Sequence, residues 1–305
     1  MTRSTARLVV ILAATLTTSV ALAAQRTYDK RLDAPPGGRL TFEADTGSVS
    51  VTGSDAPEVI VHADLEGSQS LLDHLHITAA QTPSGVTISE RVDHDGLLGW
   101  VDWLNFGPSR VRFVIEVPRN YPVDLQTSGG GLDVQDLSAS VHGKTSGGGI
   151  HLRNVSGTVA VHTSGGSIKA ERLEGSAQLS TSGGGIEVAD STGDLDVDTS
   201  GGGIRLQDDD GEVHAHTSGG SIRAQLRANH GITLASSGGG ITLLLPQNTR
   251  ASIDAATSGG GVSSEFPLST VQTEVGNHLQ GAIGGGGAPI SLHTSGGSIH
   301  IAPFP

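Results

Sequence analysis

The chain has 305 residues, including 45 glycines and no cysteine, and its formal net charge at pH 7 is −13. This acidic balance argues against a protein that binds nucleic acid or an anionic membrane surface through a general basic patch. Only 35% of the residues are hydrophobic and 3% are aromatic, so the composition favours a narrow aliphatic core that no disulfide can stabilise.

Residues 1–23 have the pattern of a secretory signal peptide. Two arginines precede the apolar run LVVILAATLTTSVALA, which ends in the cleavage-site pattern Ala-Leu-Ala. The alternative is a membrane anchor, which the four hydroxyl residues inside the run disfavour. Cleavage would remove two positive charges and change the net charge from −13 to −15. We therefore expect an exported protein, periplasmic or extracellular, whose mature chain does not insert stably into a membrane.

Residues 24–126 are predicted to form an N-terminal β coil followed by a β insertion or cap. The coil carries two pairs of alternating valines, one pair on each strand: Val49 and Val51, then Val59 and Val61. Three later runs also alternate as strands do: residues 74–81, 85–92 and 110–118.

An aromatic segment, residues 95–109, interrupts these strands with the sequence DGLLGWVDWLNFGPS. One interpretation is a cap that closes the apolar end of the core. The other is a contact patch for a protein partner, a glycan or a membrane face, because exposed aromatic side chains are strong contact residues. The candidate binding residues are Trp100, Trp103 and Phe106.

Residues 127–305 are predicted to form a β-solenoid of 18-residue coils with divergent closing coils at residues 276–305. The motif T/S-S-G-G-G/S-I/V/L begins six times at a constant spacing of 18: Thr127, Thr145, Thr163, Thr181, Thr199 and Thr217. It recurs at Ser236, Thr257 and Thr294. A fixed period of this length is typical of a solenoid.

Each repeat is predicted to contain two short strands, Ile150–Arg153 and Thr158–Thr163 in the second copy, joined by corners. The first two motif glycines are invariant among the copies, which indicates either a positive φ or a close approach to the adjacent coil. The third position accepts serine. The motif threonines are expected to form a column and to bond corner backbone atoms through their hydroxyls.

Stacking also places outward side chains in columns. Glu187 is expected between Lys169 and Arg205, as part of a surface ion ladder. A second array sets two aspartates beside two histidines and is a candidate metal site or, alternatively, a solvated face: Asp196, Asp198, His214 and His216. The run Asp208–Asp210 is expected to form an acidic corner with Asp190, which is either a soluble edge or a weak calcium site.

The combination of a leader, the segment RVRFVIEVPRNYPVDLQTSGGGLDV, repeated TSGGGI coils and the closing GAIGGGGAPISLHTSGGSIHI resembles a bacterial family catalogued as a domain of unknown function. Its members are β-strand-repeat proteins often labelled "putative adhesins". The resemblance covers most of residues 40–303. It implies an extracytoplasmic β-solenoid and supplies no catalytic residues.

The sequence therefore favours a non-enzymatic, exported all-β solenoid with a structural, adhesive or scaffolding role at the cell envelope. Neither H-E-x-x-H nor G-x-S-x-G occurs, and we expect no catalytic residue and no cofactor. The expected partner is an envelope protein or a glycan. Two alternatives remain: a carbohydrate-active enzyme on a β-helix scaffold, and an envelope signalling or accessory protein.

Overall fold

The computed structural model describes residues 24–93 and 110–304, which form two long β-sheets around one aliphatic core. Sheet A has thirteen strands and sheet B has fourteen. The predicted all-β solenoid is confirmed. Within the described ranges the one α-helix is α1, Gln69–His74, and no helix there has the length and apolarity needed to cross a bilayer. The predicted signal peptide, residues 1–23, lies outside the described residues.

The part of the chain before the regular coils contains strands of both sheets. They are β1 (Ala24–Asp33), β2 (Arg39–Ala44), β3 (Ser48–Ser54), β4 (Glu58–Gly67), β5 (Leu75–Thr82), β6 (Gly85–Val92) and β7 (Arg110–Pro118). The last three are the strands predicted from alternation.

The regular coils each contain one strand of sheet B, a glycine corner and one strand of sheet A. The sheet B strands are β8 (Val123–Thr127), β10 (Val141–Thr145), β12 (Val159–Thr163), β14 (Ala177–Thr181), β16 (Leu195–Thr199), β18 (Val213–Thr217) and β20 (Ile232–Ser236). The sheet A strands are β9 (Leu132–Leu137), β11 (Ile150–Ser156), β13 (Ile168–Glu174), β15 (Ile186–Ala189), β17 (Ile204–Asp209), β19 (Ile222–Leu226) and β21 (Ile241–Pro246).

Six further strands follow the regular coils. They are β22 (Ala251–Thr257), β23 (Val262–Ser264), β24 (Leu268–Val275), β25 (His278–Ile283), β26 (Ala288–Thr294) and β27 (Ile299–Phe304).

Register within the regular coils follows the sequence repeat. Each strand pairs in parallel with its copy one coil away, so that Ile150 lies beside Ile168 in sheet A and Thr145 lies beside Thr163 in sheet B. Alternate side chains are buried along the regular sheet B strands and along the first four residues of the regular sheet A strands. Because equivalent apolar residues stack coil upon coil, the core is a continuous column of Ile, Leu, Val and Ala.

Sheet A strands β9, β11, β13 and β17 run further than the alternation predicts, because each contains a left-handed residue that forms a bulge. Five stacked non-glycine residues have φ between 54° and 59°: Asp136, Asn154, Arg172, Asp190 and Asp208. A left-handed residue reverses the alternation of side chains, so Val155 faces the core although it follows Leu152 by an odd number of positions. The sequence prediction ended this strand before the bulge.

The glycine corners are constrained by close approach and not by positive φ. None of the corner glycines of the second repeat has a positive φ. A Cβ on the second glycine, Gly148, would lie 2.1 Å from the carbonyl oxygen of Gly130. On the first, Gly147, it would lie 3.3 Å from the oxygen of Gly129, a distance that a small shift relieves. The prediction of close approach is therefore correct, and the requirement for glycine is strict at the second position.

The motif threonines form the predicted buried column. Thr163 donates its hydroxyl hydrogen to the carbonyl oxygen of Gly148 at 2.7 Å and accepts from the amide nitrogen of Gly166 at 3.2 Å. The same pair of bonds recurs at Thr145, Thr181, Thr199 and Thr217. Each corner thus has its backbone polar groups satisfied inside the solenoid.

The first coil is enclosed between later parts of the chain. In sheet A, β3 pairs in parallel with β9 on one side and with β7 on the other. In sheet B, β2 lies likewise between β8 and β6. Strand β4 then pairs antiparallel with β7, so Val59 and Val61 lie in sheet A and not on the second strand of the coil. This corrects the sequence assignment of those two valines.

The C-terminal strands are also inserted into the stack. Strand β26 lies between β20 and β22, and β27 lies between β21 and β23. Residues 276–305 were predicted to close the solenoid, but β22, β23 and the antiparallel pair β24–β25 lie beyond β26 and β27. The spatial order of the coils therefore differs from their order in the sequence. The chain first forms β22, β23 and the β24–β25 hairpin at the end of the stack, and then returns to form β26 and β27 between these strands and the regular coils.

Strands β1 and β5 are the edges of the two sheets at the N-terminal end, and side-chain bonds join them. The guanidinium of Arg26 donates to the carbonyl oxygens of Leu72 and Leu75 at 2.8 and 2.6 Å. The ammonium of Lys30 donates to the oxygen of Ala79 at 2.6 Å. Open carbonyls at this edge of sheet B are thus covered by cations from sheet A.

Candidate functional site

The predicted aromatic patch, Trp100, Trp103 and Phe106, lies outside the described residues, and its role stays a prediction.

The predicted aspartate–histidine array has the expected register on sheet B. Asp196 lies beside His214 and Asp198 beside His216 on adjacent strands. The side chain of His214 contacts Glu212, with Nε2 3.2 Å from Oε1. Within residues 24–93 and 110–304, no three His, Asp or Glu side chains form a group that could hold a metal ion. Metal binding by the array stays a prediction.

The predicted acidic corner is divided between the surface and the core. Asp209 is 1% exposed, and its carboxylate accepts hydrogen bonds from the amide and hydroxyl of Ser191 at 2.9 and 2.6 Å. Burial raises the pKa of Asp209 from 3.8 to about 6, against the lowering effect of these bonds. In the three preceding coils the equivalent core position holds Val155, Leu173 and Ser191. The bulge turns this aspartate inward, a result that the run of three aspartates does not reveal.

The other acidic groups of the corner bind separate partners. Asp190 accepts from Arg227 and Asp210 contacts His230, each at 2.8 Å. Asp208 accepts from the amide of Gln225 at 3.2 Å. These carboxylates therefore do not converge on one cation, and the expectation of a calcium-binding acidic corner finds no support in the geometry.

The outward face of sheet A carries the predicted charge column in register, but among the described residues Glu187 forms no ion pair with Lys169 or Arg205. Lys169, Glu187 and Arg205 are consecutive in register. The ammonium of Lys169 lies 2.9 Å from the carboxylate of Glu171 on the same strand. This contact raises the pKa of Lys169 and lowers the pKa of Glu171. Both groups are solvent-exposed, so the ladder contributes little to stability.

A shallow groove of about 630 Å³ runs along this ladder, between the side-chain column and the glycine corners. We call it the sheet A groove. Its polar column consists of His151, Lys169, Glu187, Arg205, Arg223 and Thr242. The corner side of the groove is low because the third motif position holds only glycine or serine. The column of charged residues in this groove is predictable from the sequence repeat. The low corner side of the groove becomes visible only when the corners are folded.

The fold and this repeated surface define a parallel β-solenoid with open, polar faces. The chain belongs to the Toastrack family, DUF4097, which matches residues 38–302. This confirms the resemblance to a bacterial domain of unknown function. A comparison with curated proteins gave no significant match.

Similar solved structures come from several bacteria. A putative cell adhesion protein from Clostridium sporogenes is 13% identical, covers 92% of this chain and 100% of its own, and has a TM-score of 0.24. A putative adhesin from Bacteroides fragilis is 15% identical, with coverages of 92% and 97% and a TM-score of 0.41. A putative lipid binding protein from Parabacteroides distasonis is 13% identical, with the same coverages and a TM-score of 0.43.

Proposed function

We propose that this protein is an exported, non-enzymatic scaffold that binds a partner at the cell envelope. The observation that carries the proposal is the pair of continuous sheets, whose outward side chains repeat in register from coil to coil. Evenly spaced groups on a stiff body can engage a repeating or multivalent partner at several points together. A structural or adhesive role uses the same property.

Among the described residues, two carboxylates have raised pKa values, and their burial supports a non-enzymatic role. Perturbed acids often mark active sites, but Glu90 and Asp209 are both buried inside the solenoid. Burial raises the pKa of Glu90, whose Oε2 accepts from the amide of Thr46 at 2.9 Å. Neither acid faces the sheet A groove, so neither is placed to protonate a bound glycan.

A carbohydrate-active enzyme is the first alternative. It needs a pair of carboxylates that flank a glycosidic bond in a cleft, one of them with a raised pKa. The purified protein should release no reducing sugar from envelope or plant polysaccharides. Release that is lost in a carboxylate variant would establish the enzyme instead.

An envelope signalling or accessory protein is the second alternative. The discriminating experiment is a pull-down from envelope extract with the wild-type protein and the Trp100→Ala, Trp103→Ala variant. Loss of the partner in the variant would support the aromatic contact patch. Retention of the partner would remove that patch from the proposal and leave the sheet faces as the binding surfaces.

Export is tested separately by cell fractionation. We expect the mature chain in the periplasm or outside the cell and lacking residues 1–23, which mass spectrometry of its N-terminus can establish. A chain that stays in the cytoplasm with an intact leader would contradict the envelope role.

A further inference from the structure

Two arginines stack directly on each other in the sheet A groove. Arg205 and Arg223 are register partners on the adjacent parallel strands β17 and β19. Neighbouring strands are about 4.8 Å apart, and like charges placed opposite each other destabilise a sheet. Both side chains are exposed. This pair therefore has an electrostatic cost that the fold itself does not require.

Neither guanidinium has an ion-pair partner in the part of the chain that the structure describes. Within the described ranges no carboxylate lies within 4.0 Å of Arg205 or Arg223, and neither side chain makes a hydrogen bond. The next outward positions on the same strands are Gln207 and Gln225, which are uncharged. Glu187 is the nearest acid in the column, one rung from Arg205. The two arginines are thus free to bind an anion from solution.

The groove is long and narrow. Its column begins at His151 and ends at Thr242, six successive rungs that span about 24 Å at the spacing of β-strands. Its other edge offers the hydroxyls of Ser167 and Ser221. A linear polymer that lies along the solenoid axis could therefore contact cations, hydroxyls and one carboxylate in turn.

We propose that the sheet A groove binds a carboxylated linear polysaccharide, with Arg205 and Arg223 holding its carboxylates. This proposal rests on the scaffold function above and names its partner class. Guanidinium groups pair with carboxylates through two parallel hydrogen bonds. Beside these contacts, the carboxylate of Glu187 accepts hydrogen bonds from sugar hydroxyls, and the serine hydroxyls can both donate to them and accept from them.

The composition of the groove favours a glycan over other polyanions. A single-stranded nucleic acid would need aromatic side chains on which its bases stack, and the groove lining contains none. Glu187 lies between Lys169 and Arg205, so a polymer whose side groups are all anionic would place a like charge against this carboxylate. A polysaccharide provides uncharged hydroxyls to face this carboxylate.

The test is calorimetric titration of the purified protein with polygalacturonate. Separate titrations with fully methyl-esterified polygalacturonate and with polyaspartate serve as controls. We expect binding of polygalacturonate that weakens with added salt and no comparable binding of the other two polymers. The Arg205→Gln, Arg223→Gln variant should bind at least about tenfold more weakly, because charged hydrogen bonds are lost.

The matched control is Arg31→Gln, Arg110→Gln, which removes the same charge from exposed surface pairs with Glu58 and Glu66. It should bind like the wild-type chain. The groove variant should melt no lower than wild type, because it removes a repulsive pair. A lower melting temperature would assign the arginines a structural role and overturn the proposal.

Equal binding by the groove variant, equal binding of the ester or of polyaspartate, or no binding of polygalacturonate would also overturn it. The scaffold function is judged by a different result. If the titrations fail but the wild-type chain still recovers a specific partner from envelope extract, the glycan assignment fails while the scaffold function stands.

Discussion

At the residue scale, the tightest constraint is the second glycine of each corner. In the fourth repeat, a Cβ on Gly184 would lie 2.1 Å from the carbonyl oxygen of Gly166, while one on Gly183 would lie 3.3 Å from the oxygen of Gly165. The backbone atoms of adjacent coils cannot separate there without breaking the parallel pairing. Glycine is thus required for packing at a position where its φ is ordinary.

Replacing Gly184 with alanine should therefore lower the free energy of unfolding by at least about 2 kcal/mol, and Gly183→Ala should cost clearly less. Chemical denaturation of the two variants measures the difference. Equal costs at the two positions would contradict the close-approach explanation.

The buried carboxylate of Asp209 makes stability depend on pH. Its pKa is raised from 3.8 to about 6, so between these values the folded state binds more protons than the unfolded state. Stability therefore falls as pH rises through this window and is constant above it. The full effect of this one group is roughly 3 kcal/mol.

Asp209→Asn keeps an oxygen that can accept from Ser191 and removes the buried charge. We expect it to melt higher than wild type at pH 7 and to show a smaller gain in stability between pH 7 and pH 5. The residual gain reports Glu90 and His62, whose raised pKa values act in the same direction. An unchanged pH profile would show that Asp209 ionises without penalty in the folded protein.

At the element scale, the ends of the sheets are the places where the solenoid is open to pairing with another chain. Exposed strand edges are templates for intermolecular pairing. Arg26 and Lys30 on β1 donate to backbone carbonyls of α1 and β5, which belong to the edge region of the opposite sheet. These two cations thus protect the edge by hydrogen bonding to its backbone carbonyl oxygens and not by forming ion pairs.

Arg26→Met, Lys30→Met should leave three carbonyl oxygens without donors and promote self-association, because the edge of β5 is then open. Light scattering during mild heating measures this. Arg31→Met on the same strand is the control, since Arg31 is exposed and pairs with the carboxylate of Glu58 at 3.3 Å. Equal aggregation of both variants would rule out edge protection.

At the scale of the whole molecule, the inserted final coil holds the C-terminal end together. Strands β26 and β27 are the parallel partners of β20 and β21 on one side and of β22 and β23 on the other. The core residue Leu292 lies beside Leu234 and Ala255 in this arrangement. The last coil in sequence therefore connects two units that do not otherwise pair.

A chain ending at Gly285 should lose amide protection in β22 and β23 and keep it in the central coils. Hydrogen exchange can compare it with the full chain. The reason is that repeat proteins are stabilised mainly by neighbouring coils, so the defect should stay local. Loss of protection throughout residues 127–217 would show instead that the solenoid unfolds as one cooperative unit.

The sequence by itself determined the central coils, because period and alternation are local signals. A spacing of 18 and alternating Ile, Leu and Val define which residues stack and which face outward. The charge column Lys169, Glu187 and Arg205 follows from the same spacing. The threonine column was predictable for this reason too.

The tertiary structure decided what depends on long-range order or on one backbone angle. The insertion of β2–β3 and β26–β27 into the stack joins segments far apart in sequence, which no repeat pattern encodes. The burial of Asp209 depends on the left-handed residue Asp208, φ 58°, which reverses the facing of the next side chain. The sheet A groove likewise exists only because folded corners with small side chains leave one side of a predictable charge column open.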